Sequence, residues 1–189
     1  NIMDYISWRG DLTFAQSPFN EVDNLILACF SYVNLDRIPV VTRQKGIELK
    51  KLVKEFKKLH TIKELEADKS FIRLAPFMMF DMAESVRFGN CVIRNYVNEI
   101  VTEAEKQFSA VEIVLDDGTS YISFRGTDDT IIGWKEDFNL STGVVPAQER
   151  AVEYMQRISD KAYGMLRVGG HSKGGNLAIY GSVMCKSAH

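Results

Sequence analysis

Histidine, cysteine and proline are scarce in this chain of 189 residues, which holds 3, 3 and 4 of them, and each shortage closes off a chemistry. Cys29, Cys91 and Cys185 lack the paired spacing of a zinc or iron–sulfur site, and an odd number cannot pair completely. They read as small core hydrophobes, and no metal or organic cofactor is implied. No apolar run reaches the ~18 residues of a membrane-crossing helix, so no transmembrane segment is expected. The opening Asn1-Ile2-Met3-Asp4 has no basic region followed by an apolar one, which makes a cytoplasmic location the expectation. A net charge of −2 provides no basic field, so no nucleic-acid partner is implied. No repeat, linker or low-complexity segment divides the chain. With 46% hydrophobic and 25% charged residues it reads as a single domain over 1–189.

The informative stretch is Gly170-His171-Ser172-Lys173-Gly174-Gly175. Glycine-rich turns of this kind arise by chance, and a purely structural turn is the alternative reading. Context favours a nucleophile elbow: Met165 to Gly170 reads as a short buried strand, and Leu177, Ala178, Tyr180, Gly181 and Met184 then recur at helical spacing. Ser172 would stand on the bend as nucleophile, with Gly170 and Gly174 keeping strand and helix from clashing with it. A second motif precedes it. Tyr121-Ile122-Ser123-Phe124-Arg125-Gly126-Thr127-Asp128 ends an extended run, followed by Trp134 and Asp137. Attack on a carbonyl needs two oriented N–H donors, each worth about 3 kcal/mol. The backbone N–H of Lys173 is one candidate and Thr127 supplies the other.

Phe-Arg-Gly-Thr, then Trp and Asp, then Gly-His-Ser-x-Gly-Gly, over about residues 109–186, resembles the class 3 (fungal-type) lipases. From Asp4-Tyr5-Ile6-Ser7-Trp8-Arg9-Gly10-Asp11 onward the chain looks closer to a bacterial branch of that superfamily, the Mbeg-like lipase-related proteins, which share the Gly-His-Ser-Lys-Gly-Gly-Asn form of the elbow. The resemblance implies an α/β-hydrolase fold of class 3 lipase type, with Ser172 as nucleophile and Thr127 as oxyanion residue. Asp137 would steady the Thr127 hydroxyl, and residues 128–140 would occupy the lid position. Lys173 stands where class 3 lipases usually carry a bulky apolar residue, which argues against a purely greasy substrate. In this superfamily acid and then histidine follow the serine. His60, His171 and His189 are not placed for the role, so both partners are expected beyond His189, and the chain reads as the N-terminal portion of a longer hydrolase.

Along the chain, residues 1–20 read as irregular and helices are expected at about 21–33, 44–59 and 76–87, giving a helical part over 1–90 packed on a sheet core over 91–189. Val22, Leu25, Ile26, Cys29, Phe30 and Val33 would form the buried stripe of the first, and Met79, Met82, Ala83 and Val86 that of the third. Lys50, Lys51, Lys54, Lys57 and Lys58 make a solvated helix face, with an anionic membrane contact as the lesser reading. Residues 92–101 read as extended. Ala110–Leu115 and Thr119–Phe124 form a hairpin around Asp116-Asp117-Gly118. A helix from Pro146 to about 163, capped by Gly164, follows. Strand, helix, strand, elbow and helix in succession imply a mostly parallel sheet flanked by helices. The expected function is hydrolysis of a small-molecule acyl ester or thioester, or a lipid-like substrate, through an acyl-enzyme on Ser172. A non-catalytic binding module and a serine peptidase remain the alternatives.

Overall fold

The computed structural model describes residues 1–70, 72–101, 106–127, 143–161 and 164–186. Among them are seven α-helices and five strands: α1 (Ile2–Arg9), α2 (Glu21–Phe30), β1 (Ile47–Glu48), α3 (Leu49–Leu59), α4 (Ile62–Ala67), α5 (Ala75–Glu84), β2 (Val92–Val101), β3 (Lys106–Val114), β4 (Ser120–Phe124), α6 (Pro146–Ser159), β5 (Leu166–Gly170) and α7 (Lys173–Met184).

The sheet corrects the expected fold class. Its order is β1-β2-β3-β4-β5, and three of its four pairings are antiparallel; only β4 and β5 run parallel. It is a mixed, mostly antiparallel sheet, not the mostly parallel sheet of an α/β-hydrolase. Connection length is the physical reason. A parallel pair needs a crossover of a dozen or more residues, whereas a short link forces antiparallel pairing. The Asp116-Asp117-Gly118 turn, with Gly118 at φ 81, joins β3 to β4, and a short link joins β2 to β3. From β2 onward, only the β4–β5 connection carries a helix, α6, among the described residues, while β1, a two-residue strand that α3, α4 and α5 separate from β2, pairs antiparallel despite its long connection. The strand–helix–strand succession therefore described one pairing and not the whole sheet.

Helices cover both faces, as the period of two along the central strands requires. Val111, Ile113, Leu115 and Tyr121 bury one face among the helices of the first 90 residues. Phe108, Ala110, Ile122 and Phe124 bury the other against Ala151, Met155 and Ile158 of α6 and Leu177 and Ala178 of α7. The Ser123 hydroxyl donates to the carbonyl of Leu27, 2.7 Å away, fixing α2 on the first face.

Several boundaries also shift. Residues 2–9, read as irregular, form α1, whose first turn is held by an Asn1–Asp4 capping box. Helix α2 ends at Phe30 instead of continuing to Val33, and Leu25 is exposed. Helix α3 begins only at Leu49, because Ile47 and Glu48 pair with Ile93 and Val92. Its five lysines face outward. Val86 lies past the end of α5 and is 49% exposed, while Met79, Met82 and Ala83 are buried. Helix α6 stops at Ser159 with Asp160 as its C-cap, so Gly164 does not cap it. No helix among the described residues is long and apolar enough to cross a membrane.

Burial also sets an alkaline limit. The Tyr96 hydroxyl is pushed up to about 12, first by desolvation and then by the Asp36 carboxylate. Burial raises Tyr121 and Tyr154 as well. All three stay neutral in the fold while the unfolded chain titrates near its ordinary value of about 10. Their contribution is thus complete below pH ~10 and is lost as pH rises toward 12. Urea midpoints should hold from pH 8 to 9.5 and fall steeply by pH 11, with Tyr96→Phe flattening part of the slope; a midpoint unchanged at pH 11 would contradict this.

Candidate functional site

The end of β5 meets the start of α7 in a bend that few residue types tolerate. Ser172 sits at φ 57, ψ −127, outside the allowed regions for a residue with a side chain. Such a conformation costs of order 1–3 kcal/mol and persists only where the surroundings impose it. Here they do. A Cβ on Gly170 would lie 2.6 Å from the Phe124 carbonyl oxygen, and one on Gly174 would lie 2.8 Å from the Phe124 carbonyl carbon and 3.0 Å from that of Arg125. Strand β4, the loop after it and the first turn of α7 converge so closely that only glycine fits at both places.

Ser172 is the N-cap residue of α7, yet its hydroxyl makes no capping hydrogen bond. Serine at an N-cap ordinarily satisfies an amide of the first turn. Here Gly174 N donates to His171 O at 3.0 Å and Gly175 N to Ser172 O at 2.9 Å. The exposed Ser172 side chain is left out of that exchange and stands above the C-terminal ends of the parallel pair.

Gly126 brings the loop after β4 against the bend. A Cβ there would sit 3.2 Å from Ser172 Cβ and 2.5 Å from the His171 carbonyl oxygen, and would collide with the Tyr32 hydroxyl. Thr127 follows directly in sequence and is half-buried. Asp137, Trp134 and the lid-position segment lie outside the described residues.

The Lys173 side chain does not face a substrate. It is 4% exposed, and its ammonium donates to the Gln107 carbonyl oxygen at 3.0 Å. Its charge ties α7 to β3 and says nothing of substrate polarity. His171 turns its ring to Tyr32, with Nδ1 and the hydroxyl 2.9 Å apart. His60 stacks on Phe56, ring centroids 4.4 Å apart, at the end of α3. Sequence reasoning missed Tyr32: it lies just past α2 with no local motif, and only the fold brings it to a histidine 139 positions away.

A family model described as Mbeg1-like matches residues 82–188, more than half of the chain, and the chain belongs to that family. Neither the curated proteins nor the solved structures contain a match to it.

Proposed function

We propose that this protein is a serine hydrolase that cleaves an acyl ester or thioester through an acyl-enzyme on Ser172. The observation that carries the reading is the Ser172 backbone, a strained serine at φ 57, ψ −127 between two glycines that admit no side chain. Strain of this kind clusters at functional positions. The membership in the Mbeg1-like family and the likeness of the motifs to class 3 lipases support the same chemistry, without extending to the sheet.

Ser172 Oγ attacks the acyl carbonyl and forms the new C–O bond, its proton passing to a histidine base. The N–H groups of Lys173 and Thr127 receive the oxyanion, and the positive end of the 12-residue helix α7 adds to their field. By the resemblance to class 3 lipases, Asp137 would orient the Thr127 hydroxyl. His171 is engaged by Tyr32 and His60 by Phe56. In the serine–acid–histidine order of the lipase superfamily, the acid and the base follow the nucleophile along the chain.

The test is covalent labelling of the natural full-length polypeptide with a fluorophosphonate, located by peptide mapping. Modification at Ser172, absent from Ser172→Ala, is expected. Labelling that persists in that variant, or no labelling at any serine, overturns the assignment.

A further inference from the structure

One cavity adjoins the bend. It holds about 400 Å³ between α1, α2 and α5, and its wall includes Met3, Cys29, Tyr32, Ala75, Met78 and His171. The volume lies in the range of small-molecule sites. Its wall is apolar except at Asn1, whose terminal ammonium pairs with Asp4, and at one end, where the Tyr32 hydroxyl meets His171 Nδ1. That end is also where the site begins: the Tyr32 hydroxyl and Ser172 Cβ both crowd the point that a Gly126 Cβ would occupy. Tyr32 is thus a wall shared by the cavity and the nucleophile.

We infer that this cavity receives the acyl chain of the substrate, making the enzyme selective for medium-chain acyl esters or thioesters, with Tyr32 as the residue that aligns the chain with Ser172. This rests on the assignment of Ser172 as nucleophile. Ile2, Met3, Leu74, Ala75 and Met78 make up much of the wall, so the group that enters is apolar. A ligand whose carbonyl lies at Ser172 has its tail directed past Tyr32 into the apolar volume beside it. At ~30 Å³ per small group, the cavity admits about a dozen non-hydrogen atoms, which matches a chain of roughly eight to twelve carbons. Burial holds the Cys29 thiol above its ordinary range, in keeping with a dry wall.

Two independent measurements test it. With Ser172→Ala in the full-length protein, decanoic acid should slow alkylation of Cys29 by N-ethylmaleimide about tenfold, while butyric acid should not. Cys91 and Cys185 are buried and provide the internal control. This arm needs no catalysis, and equal alkylation with and without decanoate overturns the inference even if Ser172 reacts. In the second arm, alkyl fluorophosphonates from ethyl to dodecyl label the wild type. The rate should rise about two- to fourfold per methylene up to roughly ten carbons and then level. Ala75→Phe, which fills the cavity, should flatten that series, bringing the ratio of dodecyl to ethyl labelling toward one. A flat wild-type series beside normal ethyl labelling sinks the acyl cavity and leaves the nucleophile standing, whereas failure of the ethyl probe counts against the nucleophile.

Discussion

Ser172→Gly should abolish ester turnover while leaving the protein at least as stable as before. Losing the nucleophile of a serine triad costs about a million-fold in turnover in subtilisin, and p-nitrophenyl butyrate hydrolysis should fall to background. Stability should move the other way. Glycine adopts φ 57, ψ −127 without the 1–3 kcal/mol penalty that serine carries, offset in part by the greater freedom of glycine in the unfolded chain. The net gain should be about 1 kcal/mol, or roughly 2–4 °C in Tm. Ser172→Ala should be equally inactive without the gain, since alanine still has a Cβ. Retained turnover in either variant would remove Ser172 from the mechanism. A Tm that falls in Ser172→Gly would show that the bend does not store strain.

The strand, bend and helix around Ser172 are legible in the sequence because the residues that make them are contiguous. Gly170, Ser172 and Gly174 lie within five residues, and the two glycines are needed where Phe124 and Arg125 approach. The β3–β4 hairpin was legible for the same reason, through its Asp-Asp-Gly turn. The sheet as a whole was not. Strand β2 carries a bulge between Arg94 and Val97, with Asn95 at φ 53, and an extra residue shifts every side chain after it to the other face. Its alternation is therefore uneven in the sequence and does not disclose its partners, and the one parallel crossover, β4 to β5, is the only pairing that the strand–helix–strand pattern describes. Helix α1 escaped notice because it has almost no apolar stripe: Ile6 is its one buried residue and Trp8 is 72% exposed. What holds it is the Asn1 cap and packing against α5 and α2. Tyr32 and the cavity behind it are products of long-range assembly, which no local window contains.

That assembly depends on one buried ion pair, and breaking it should be the most damaging change outside the elbow. The Arg87 and Asp23 side chains are both 0% exposed, with Nη2–Oδ2 at 2.5 Å and Nε–Oδ1 at 2.7 Å, a two-pronged contact. The same guanidinium donates to the carbonyls of Leu12 at 3.2 Å and Ser17 at 2.9 Å and lies 4.1 Å over the Phe14 ring. Asp23 in turn accepts from Asn20 N at 3.0 Å and from the Tyr5 hydroxyl at 3.2 Å. One pair thus ties the segment after α5, the loop between α1 and α2, and the first turn of α2, the helix that leads to Cys29 and Tyr32. Removing either partner strands a charge away from water, at a cost of about 3–5 kcal/mol. Arg87→Met and Asp23→Leu should each lower Tm by about 10 °C. The double variant should recover part of the loss, because no charge is then left unpaired, but not all of it, because the α2 cap and the loop carbonyls still lack their partners. In Arg87→Met held below its Tm, preference for long alkyl fluorophosphonates should weaken before ethyl labelling does, since the cavity wall loosens while the elbow keeps its own glycine-limited contacts. A single variant that loses less than about 1 kcal/mol, or a double variant worse than both singles, would show that the pair does not bind these elements together.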